Sequence, residues 1–445
     1  MAEITAVPQP AAEPKGIRSF LIIWLGELIS IVGSGLTAFA LGVWIYQQTG
    51  QATPFALVAF LNAVPQVLLS PVAGALVDRW DRRKVMILAD TGSALLTAGV
   101  AGLLFIGNLQ IWQIYLMALL SAVFGAFQEP AYTASITMLV PKKELARASG
   151  LVQAGQSLQS LVSPALAGVL FVIVGLRGII LIDFMTFFFA VGALLLVRIP
   201  QPEAVPSQPG VAQASLWRDA VFGFQYLRAR AGLLGLLIFF ALVNFLLNLS
   251  TVLSGPLILS FSTAASLGIA QTIAGAGMLA GSVLLSAWGG PRQRVRGIIT
   301  FIMLAACGLL LMGLQPSIWL IAAGGFIMLF AIPLASGPSQ ALFQSKVAPG
   351  VQGRVFAIRG MISRSMMPLA FLIAGPLSDR VFEPMLGTQG RLANTPLAAL
   401  LGTGPGRGTG LIFITSAVLL LAACLLAYAN PRIRYLEIEL PDQIE

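Results

Sequence analysis

The sequence predicts an all-α membrane protein of twelve transmembrane helices in two halves of six, and three observations predict it. Of 445 residues, 57% are hydrophobic and only 10% are charged, with a mean hydropathy of +0.89, whereas soluble domains carry about a quarter charged residues. Apolar runs of roughly the 20 residues that one bilayer crossing needs recur along the whole chain. A polar, proline-rich interval from Arg198 to Ser215 splits these runs evenly.

In chain order, residues Met1 to Gly16 are rich in Ala and Pro and read as a disordered tail. The run Ile17 to Tyr46 is too long for a signal-peptide core, so it is expected to stay as the first crossing. Pro54 to Val77, Val85 to Ile106, Ile111 to Leu139, Ser149 to Val174 and Gly178 to Val197 complete the first six. After the polar interval, Leu216 to Arg230 sets Trp217, Val221, Phe224 and Leu227 against Arg218, Arg228 and Arg230, the pattern of an amphipathic surface helix. The second six are Leu233 to Leu259, Ala264 to Trp288, Val295 to Leu314, Ile318 to Phe343, Val355 to Leu377 and Gly410 to Tyr428. The expected domains are thus a tail over 1–16, a bundle over 17–197, a linker over 198–231, a bundle over 232–428 and a C-terminal tail over 429–445.

The loops set the orientation. With the N-terminus in the cytoplasm, 22 of the 26 cations lie on or near that side, leaving only Arg177, Arg380, Arg391 and Arg407 outside, three of them in one long external loop. Excess Lys and Arg in short loops mark the cytoplasmic face, so both termini are expected there, in a bacterial inner membrane.

Composition also removes function classes. The net charge of +9 is explained by basic loops beside a membrane, and no soluble module offers a basic face to nucleic acid. The chain contains no His, so neither a Ser-His-Asp triad nor a histidine metal site can form. It has no Gly-x-x-x-x-Gly-Lys phosphate loop, and no cofactor is expected. Cys307 and Cys424 each sit in an apolar run and read as packing residues. Gly277 and Gly281 form a small-xxx-small pair; with membrane-spanning flanks and no preceding strand, this is helix packing, not a dinucleotide fingerprint.

The most informative stretch joins the second and third crossings: Gly74-Ala75-Leu76-Val77-Asp78-Arg79-Trp80-Asp81-Arg82-Arg83-Lys84. A glycine permits close helix approach, an aspartate ends the helix, and the cations must stay at the interface because each costs about 2.5 to 3.5 kcal/mol inside the bilayer. The stretch resembles the signature loop of the major facilitator superfamily, with Asp81 where that loop usually has glycine. In the fifth crossing, Gly150 and then Ser163-Pro164-Ala165-Leu166-Ala167-Gly168 are similar to the superfamily's antiporter motif, with Ser163 and Ala167 in place of glycines. Phrases such as Gly42-Val43-Trp44-Ile45-Tyr46, Ala126-Phe127-Gln128 and Ala374-Gly375-Pro376-Leu377-Ser378-Asp379-Arg380 resemble the macrolide-efflux and enterobactin-exporter branch.

That resemblance implies export by alternating access, two bundles rocking about a central site, and a gate formed by Gly74, Asp78, Arg79, Arg82 and Arg83. In it, Asp78 would meet the start of the eleventh crossing near residues 353–357 when the opposite side is open. Gly150, Ser163, Pro164 and Gly168 would seal the fifth helix against a neighbour. A carboxylate buried in the membrane is costly when ionised and exchanges protons as water reaches it. Glu27 and Glu129 are the expected proton carriers, because the first and fourth helices line the superfamily's cavity; Asp90 and Asp183, nearer helix ends, read as structural. Aligning Gly125 with the superfamily's fourth-helix glycine puts Ser121 where drug antiporters often have arginine, which weakens that expectation.

Trp24, Asn62, Gln66, Phe127, Tyr132, Gln156, Asn244 and Asn248 are candidate cavity residues, offering stacking and neutral hydrogen bonds to a bulky amphiphile. The expectation is a monomeric, proton-coupled exporter of a drug-like compound or siderophore, in contact with membrane lipid. A lipid or lysophospholipid translocator is the alternative, followed by a non-transporting membrane sensor.

Overall fold

The computed structural model describes residues 17–197, 199 and 216–443. The expected disordered tail over 1–16 and most of the linker before residue 216 lie outside the described residues. Among the described residues every regular element is helical.

The first half comprises α1 (Ile17–Thr49), α2 (Ala52–Val77), α3 (Arg82–Ile106), α4 (Ile111–Leu139), α5 (Leu145–Ile173) and α6 (Gly175–Leu196). A linker helix, α7 (Leu216–Arg228), leads to α8 (Ala231–Leu259), α9 (Ala264–Trp288), α10 (Arg294–Leu314), α11 (Ile318–Lys346) and α12 (Gln352–Leu377). The short α13 (Glu383–Leu386) and α14 (Pro396–Leu401) precede the last long helix, α15 (Arg407–Ala429), and α16 (Pro431–Arg434) and α17 (Leu436–Glu439) close the chain. Twelve described helices are long and apolar enough to span a bilayer, and the chain is a multi-pass membrane protein. The observed ends lie within a few residues of the expected ones, because the apolar stretches themselves set the spans.

The two halves repeat one packing plan. In the first, α1 lies against α5 and α6, α2 against α4, and α3 against α4 and α6. In the second, α8 lies against α12 and α15, α9 against α11, and α10 against α11 and α15. The halves meet through α2 with α12 and α5 with α9. Gly277 and Gly281 do serve as packing residues: a Cβ on either would strike the carbonyl of Phe326 or Phe330 on α11.

Two regions expected to be irregular or peripheral are built more tightly. The long loop after α12 continues as a π-helical turn over Ser378–Phe382. There the Glu383 carboxylate accepts from the Thr409 backbone at 2.8 Å and the Thr409 hydroxyl at 2.7 Å, capping the start of α15. The C-terminal tail folds back: Glu437 Oε1 accepts from the Val295 N–H at 2.6 Å, and Lys346 donates to the Glu437 carbonyl at 2.8 Å. The linker helix α7 packs on α12. Of its described apolar residues Leu227 is buried and Phe224 exposed, because the helix rests on α12 through Gly223, whose Cβ position lies 2.8 Å from the Arg354 carbonyl; the side chains of Trp217 and Val221 lie outside the described ones. Cys424 is buried as expected, whereas Cys307 sits on the exposed side of α10.

Candidate functional site

The inter-half contacts gather towards one end of the molecule. At the α2–α12 pair, Asp379 accepts backbone hydrogen bonds from Ala52 at 2.9 Å and Thr53 at 2.7 Å. Gly375 sits against the Thr53 backbone and Gly255 against the Phe55 ring. At the α5–α9 pair, a Cβ on Gly168 would lie 3.1 Å from the Ala264 carbonyl and one on Gly268 would collide with the Pro164 carbonyl. Thr272 Oγ1 also donates to the Leu161 carbonyl at 3.3 Å.

At the other end the same helix pairs are not locked. A Cβ at Gly74, Gly150 or Gly353 would meet nothing within 4 Å. The Asp78 side chain is 72% exposed, with Arg82 Nη2 3.9 Å away. The close approach expected at Gly74 is therefore absent in this conformation, as is contact between Asp78 and the start of α12.

The cations of that loop work within the first half. Arg82 donates to the Ala134 carbonyl of α4 at 3.1 Å, and Arg83 to the Leu194 and Leu195 carbonyls of α6 at 2.7 and 3.0 Å. Both hold the start of α3 against other helices, and Arg83 does so at the C-terminus of α6, where positive charge is favoured. Arg79 is exposed. Asp81 takes the usual glycine position without strain: its φ is −66°, and its carboxylate caps α3 through the Lys84 N–H.

Between these ends lies a cavity of about 580 Å³ formed by the first half. It is lined by Trp24, Glu27, Asn62, Gln66, Ser121, Gln128, Glu129, Tyr132 and Gln156, among others, so five expected cavity residues and both expected proton carriers share one chamber. Trp24 is fixed by donating to the Leu151 carbonyl at 2.9 Å. Phe127 is a correction: it is absent from the lining and instead stacks on Trp80 with ring centroids 6.1 Å apart. Asn244 and Asn248 line a separate chamber of about 260 Å³ in the second half, together with Thr251 and Arg359. Arg359 is held there by Gln340 Oε1 at 2.8 Å and Ser339 Oγ at 3.1 Å.

The carboxylates divide differently from expectation. Glu27 is buried, but Glu129 is exposed to the chamber. Asp90, read from sequence as structural, shares the Gln128 side-chain amide with Glu27. Asp183 accepts from Ser34 Oγ at 3.3 Å. Among the described residues no cluster of three His, Cys, Asp or Glu side chains could hold a metal ion. Nothing in the sequence ranked Gln128 or Asp379 as functional, although one signal was present: Gly74-Ala75-Leu76-Val77-Asp78-Arg79 and Gly375-Pro376-Leu377-Ser378-Asp379-Arg380 share the pattern Gly-x-Leu-x-Asp-Arg.

The sequence profile of the Major Facilitator Superfamily matches residues 23–371. The chain belongs to that superfamily. Macrolide efflux protein A of Streptococcus pyogenes is 29% identical over 81% of this chain and 90% of the relative. The protein of the same name from Enterococcus faecalis is 30% identical over 70% and 97%. The multidrug efflux pump Tap of Mycobacterium bovis is 26% identical over 81% and 87%. Among solved structures, a bacterial homolog of the human lysosomal transporter Spinster superposes with a TM-score of 0.67 at 14% identity, covering 93% of this chain and 97% of the other. The superfamily assignment and these relatives make this chain a small-molecule transporter with relatives among efflux pumps.

Proposed function

We propose that this protein is a secondary exporter that exchanges protons for a hydrophobic or amphiphilic drug-like molecule across the bacterial inner membrane, with both termini in the cytoplasm. Residues 17–197 and 232–428 would be its two moving bodies. The observation that carries the reading is a central chamber with the halves clasped at its Asp379 end and unlatched at its Asp78 end. With the basic loops in the cytoplasm, this is the inward-facing arrangement. The substrate is moved without chemical change, so the chain is not an enzyme.

The lining supports the choice of substrate. Trp24, Tyr132 and the neutral amides of Asn62, Gln66 and Gln156 offer apolar faces with a few hydrogen bonds, a combination suited to a large amphiphile. The macrolide and multidrug efflux pumps among its relatives point the same way. Glu27 supplies a carboxylate at the chamber wall for coupling to protons.

The repeated Gly-x-Leu-x-Asp-Arg pattern supports a two-state gate. In the present state Asp379 caps the start of α2; in the outward-facing state Asp78 would cap the start of α12, with the small residues Gly74 and Gly353 allowing approach. A helix N-terminus carries about half a positive charge, so each carboxylate is attracted to its partner helix. Pro164, Ser163 and Gly168 keep α5 close to its neighbours and limit leakage.

The test uses inside-out vesicles carrying the protein and a radiolabelled macrolide, erythromycin. Uptake driven by an acid interior is expected in the wild type and a severalfold loss in Asp78→Asn with insertion intact. Absence of gradient-driven uptake across a panel of macrolides and dyes would remove the exporter reading, and normal rates in Asp78→Asn would remove the gate from Asp78.

A further inference from the structure

The Gln128 side chain ends in one amide nitrogen, which donates to two carboxylates on two other helices: Glu27 Oε2 of α1 at 3.2 Å and Asp90 Oδ1 of α3. Glu27 and Asp90 are 7% and 6% exposed. The second oxygen of each, Glu27 Oε1 and Asp90 Oδ2, is buried without a hydrogen-bond partner. Neither residue forms an ion pair among the described residues.

Two negative charges joined by one neutral amide, almost wholly buried and without a cation, repel each other and lose most of their solvation. One proton removes one of the charges. It also makes a hydroxyl, a donor that can serve an oxygen the amide leaves unpartnered. Glu27 and Gln128 line the chamber, while Asp90 is reached behind Gln128.

We propose that Glu27 and Asp90, bridged by Gln128, are a single proton-binding unit loaded and emptied through the chamber. Binding forms an O–H bond on one of the carboxylates; release breaks it and returns the proton to chamber water. This deepens the exporter reading and rests on it only for the use made of the proton. It replaces Glu129 with Asp90 as the partner of Glu27.

The other groups around the pair do not supply a counter-charge. From α4 come Tyr132 and the exposed Glu129, from α6 Asp183, and from α2 and α5 only neutral side chains such as Asn62 and Gln156. Of the nearest cations in sequence, Arg18 of α1 and Lys84 of α3 are exposed, and Arg82 and Arg83 of α3 donate to the Ala134, Leu194 and Leu195 carbonyls.

The test is an infrared titration of the full-length protein in detergent, following the carbonyl stretch of protonated carboxyl groups. The wild type should show a band at neutral pH that is lost as the pH is raised. Glu27→Gln and Asp90→Asn should each move the midpoint of the remaining group by more than one pH unit, and Gln128→Leu, which keeps both carboxylates, should also move it. Glu129→Gln should keep the wild-type midpoint. Gel filtration identifies any variant that fails to fold; if both carboxylate variants fail, Gln128→Leu decides alone. A band insensitive to Glu27, Asp90 and Gln128, or midpoints that shift independently of one another, overturns the unit. A midpoint that moves when sodium replaces choline assigns the site to an alkali cation and also overturns it. A shared titration without pH-driven erythromycin uptake leaves the proton site standing and removes the coupling in the exporter reading.

Discussion

Asp379 holds Thr53 across the boundary between the two halves: its Oδ2 accepts the Thr53 backbone N–H at 2.7 Å while its Oδ1 accepts that of Ala52 at 2.9 Å. The first turn of any α-helix leaves N–H groups without intrahelical partners. In α2 the residue before the helix, Gln51, contributes no side-chain cap, so the cap comes from the other half and exists only while this end is closed. Hydrogen bonds to a charged group contribute about 1.5 to 3 kcal/mol. Asp379→Asn keeps the shape but loses the charge and one acceptor oxygen. It is expected to shift the balance between the two conformations by about tenfold away from the present one, read as increased labelling of a cysteine placed at Thr53.

The α5–α9 crossing gives a steric counterpart. Because a Cβ on Gly268 would collide with the Pro164 carbonyl, Gly268→Val must separate the helices. Overpacking of this kind costs about 1 to 3 kcal/mol, so the melting temperature in detergent should fall by several degrees. Gly150→Ala, where a Cβ meets nothing within 4 Å, should leave it unchanged or raise it slightly, since alanine favours a helix interior over glycine by about 0.5 to 1 kcal/mol.

The contrast between these positions marks what the sequence could disclose. The twelve spans and their division were legible because a lipid-facing helix must be apolar along its length, a property carried by composition. Trp24, Asn62, Gln66, Tyr132 and Gln156 were also legible as chamber residues, being polar or aromatic inside otherwise aliphatic runs. Phe127 was not: adjacent residues on a helix point about 100° apart, so Gln128 faces the chamber while Phe127 turns to Trp80. The partner of Asp379 was hidden for another reason, since a backbone N–H leaves no signature in the side chains around it. Asp90 lies near a helix end, which in sequence marks a structural acid, and only the fold brings Gln128 beside it.

Glu383 illustrates the same kind of hidden cap. Its carboxylate accepts from the Gly406 N–H at 3.2 Å, the Thr409 N–H at 2.8 Å and the Thr409 hydroxyl at 2.7 Å, tying the loop after α12 to the start of α15. Loss of an N-terminal cap costs about 0.5 to 2 kcal/mol. Glu383→Ala should therefore lower the melting temperature and speed hydrogen exchange at residues 407–410, with little effect at α2, whose own cap is Asp379.

The docked C-terminal tail should respond to pH through Asp442. The hydrogen bond and positive charge of Lys346, whose Nζ lies 3.1 Å from Asp442 Oδ1, hold that carboxyl below its usual range. A carboxylate whose folded value is lowered contributes stability that is fully present above its unfolded value and is lost as pH falls through the lowered folded value. Docking is thus expected to be unchanged near neutrality and to loosen only in acid, below the ordinary carboxylate range. Asp442 is largely exposed, so solvent screens the pair and the effect should be small. Hydrogen-exchange protection factors over residues 431–443 measure it: they should fall in acid in the wild type. In Asp442→Asn part of that fall should disappear, because the amide does not titrate, while the Lys346 bond to the Glu437 carbonyl at 2.8 Å keeps the tail docked. Equal acid sensitivity in the two proteins would assign the response to another group, with Glu437 and its 2.6 Å bond from the Val295 N–H the next to be tested.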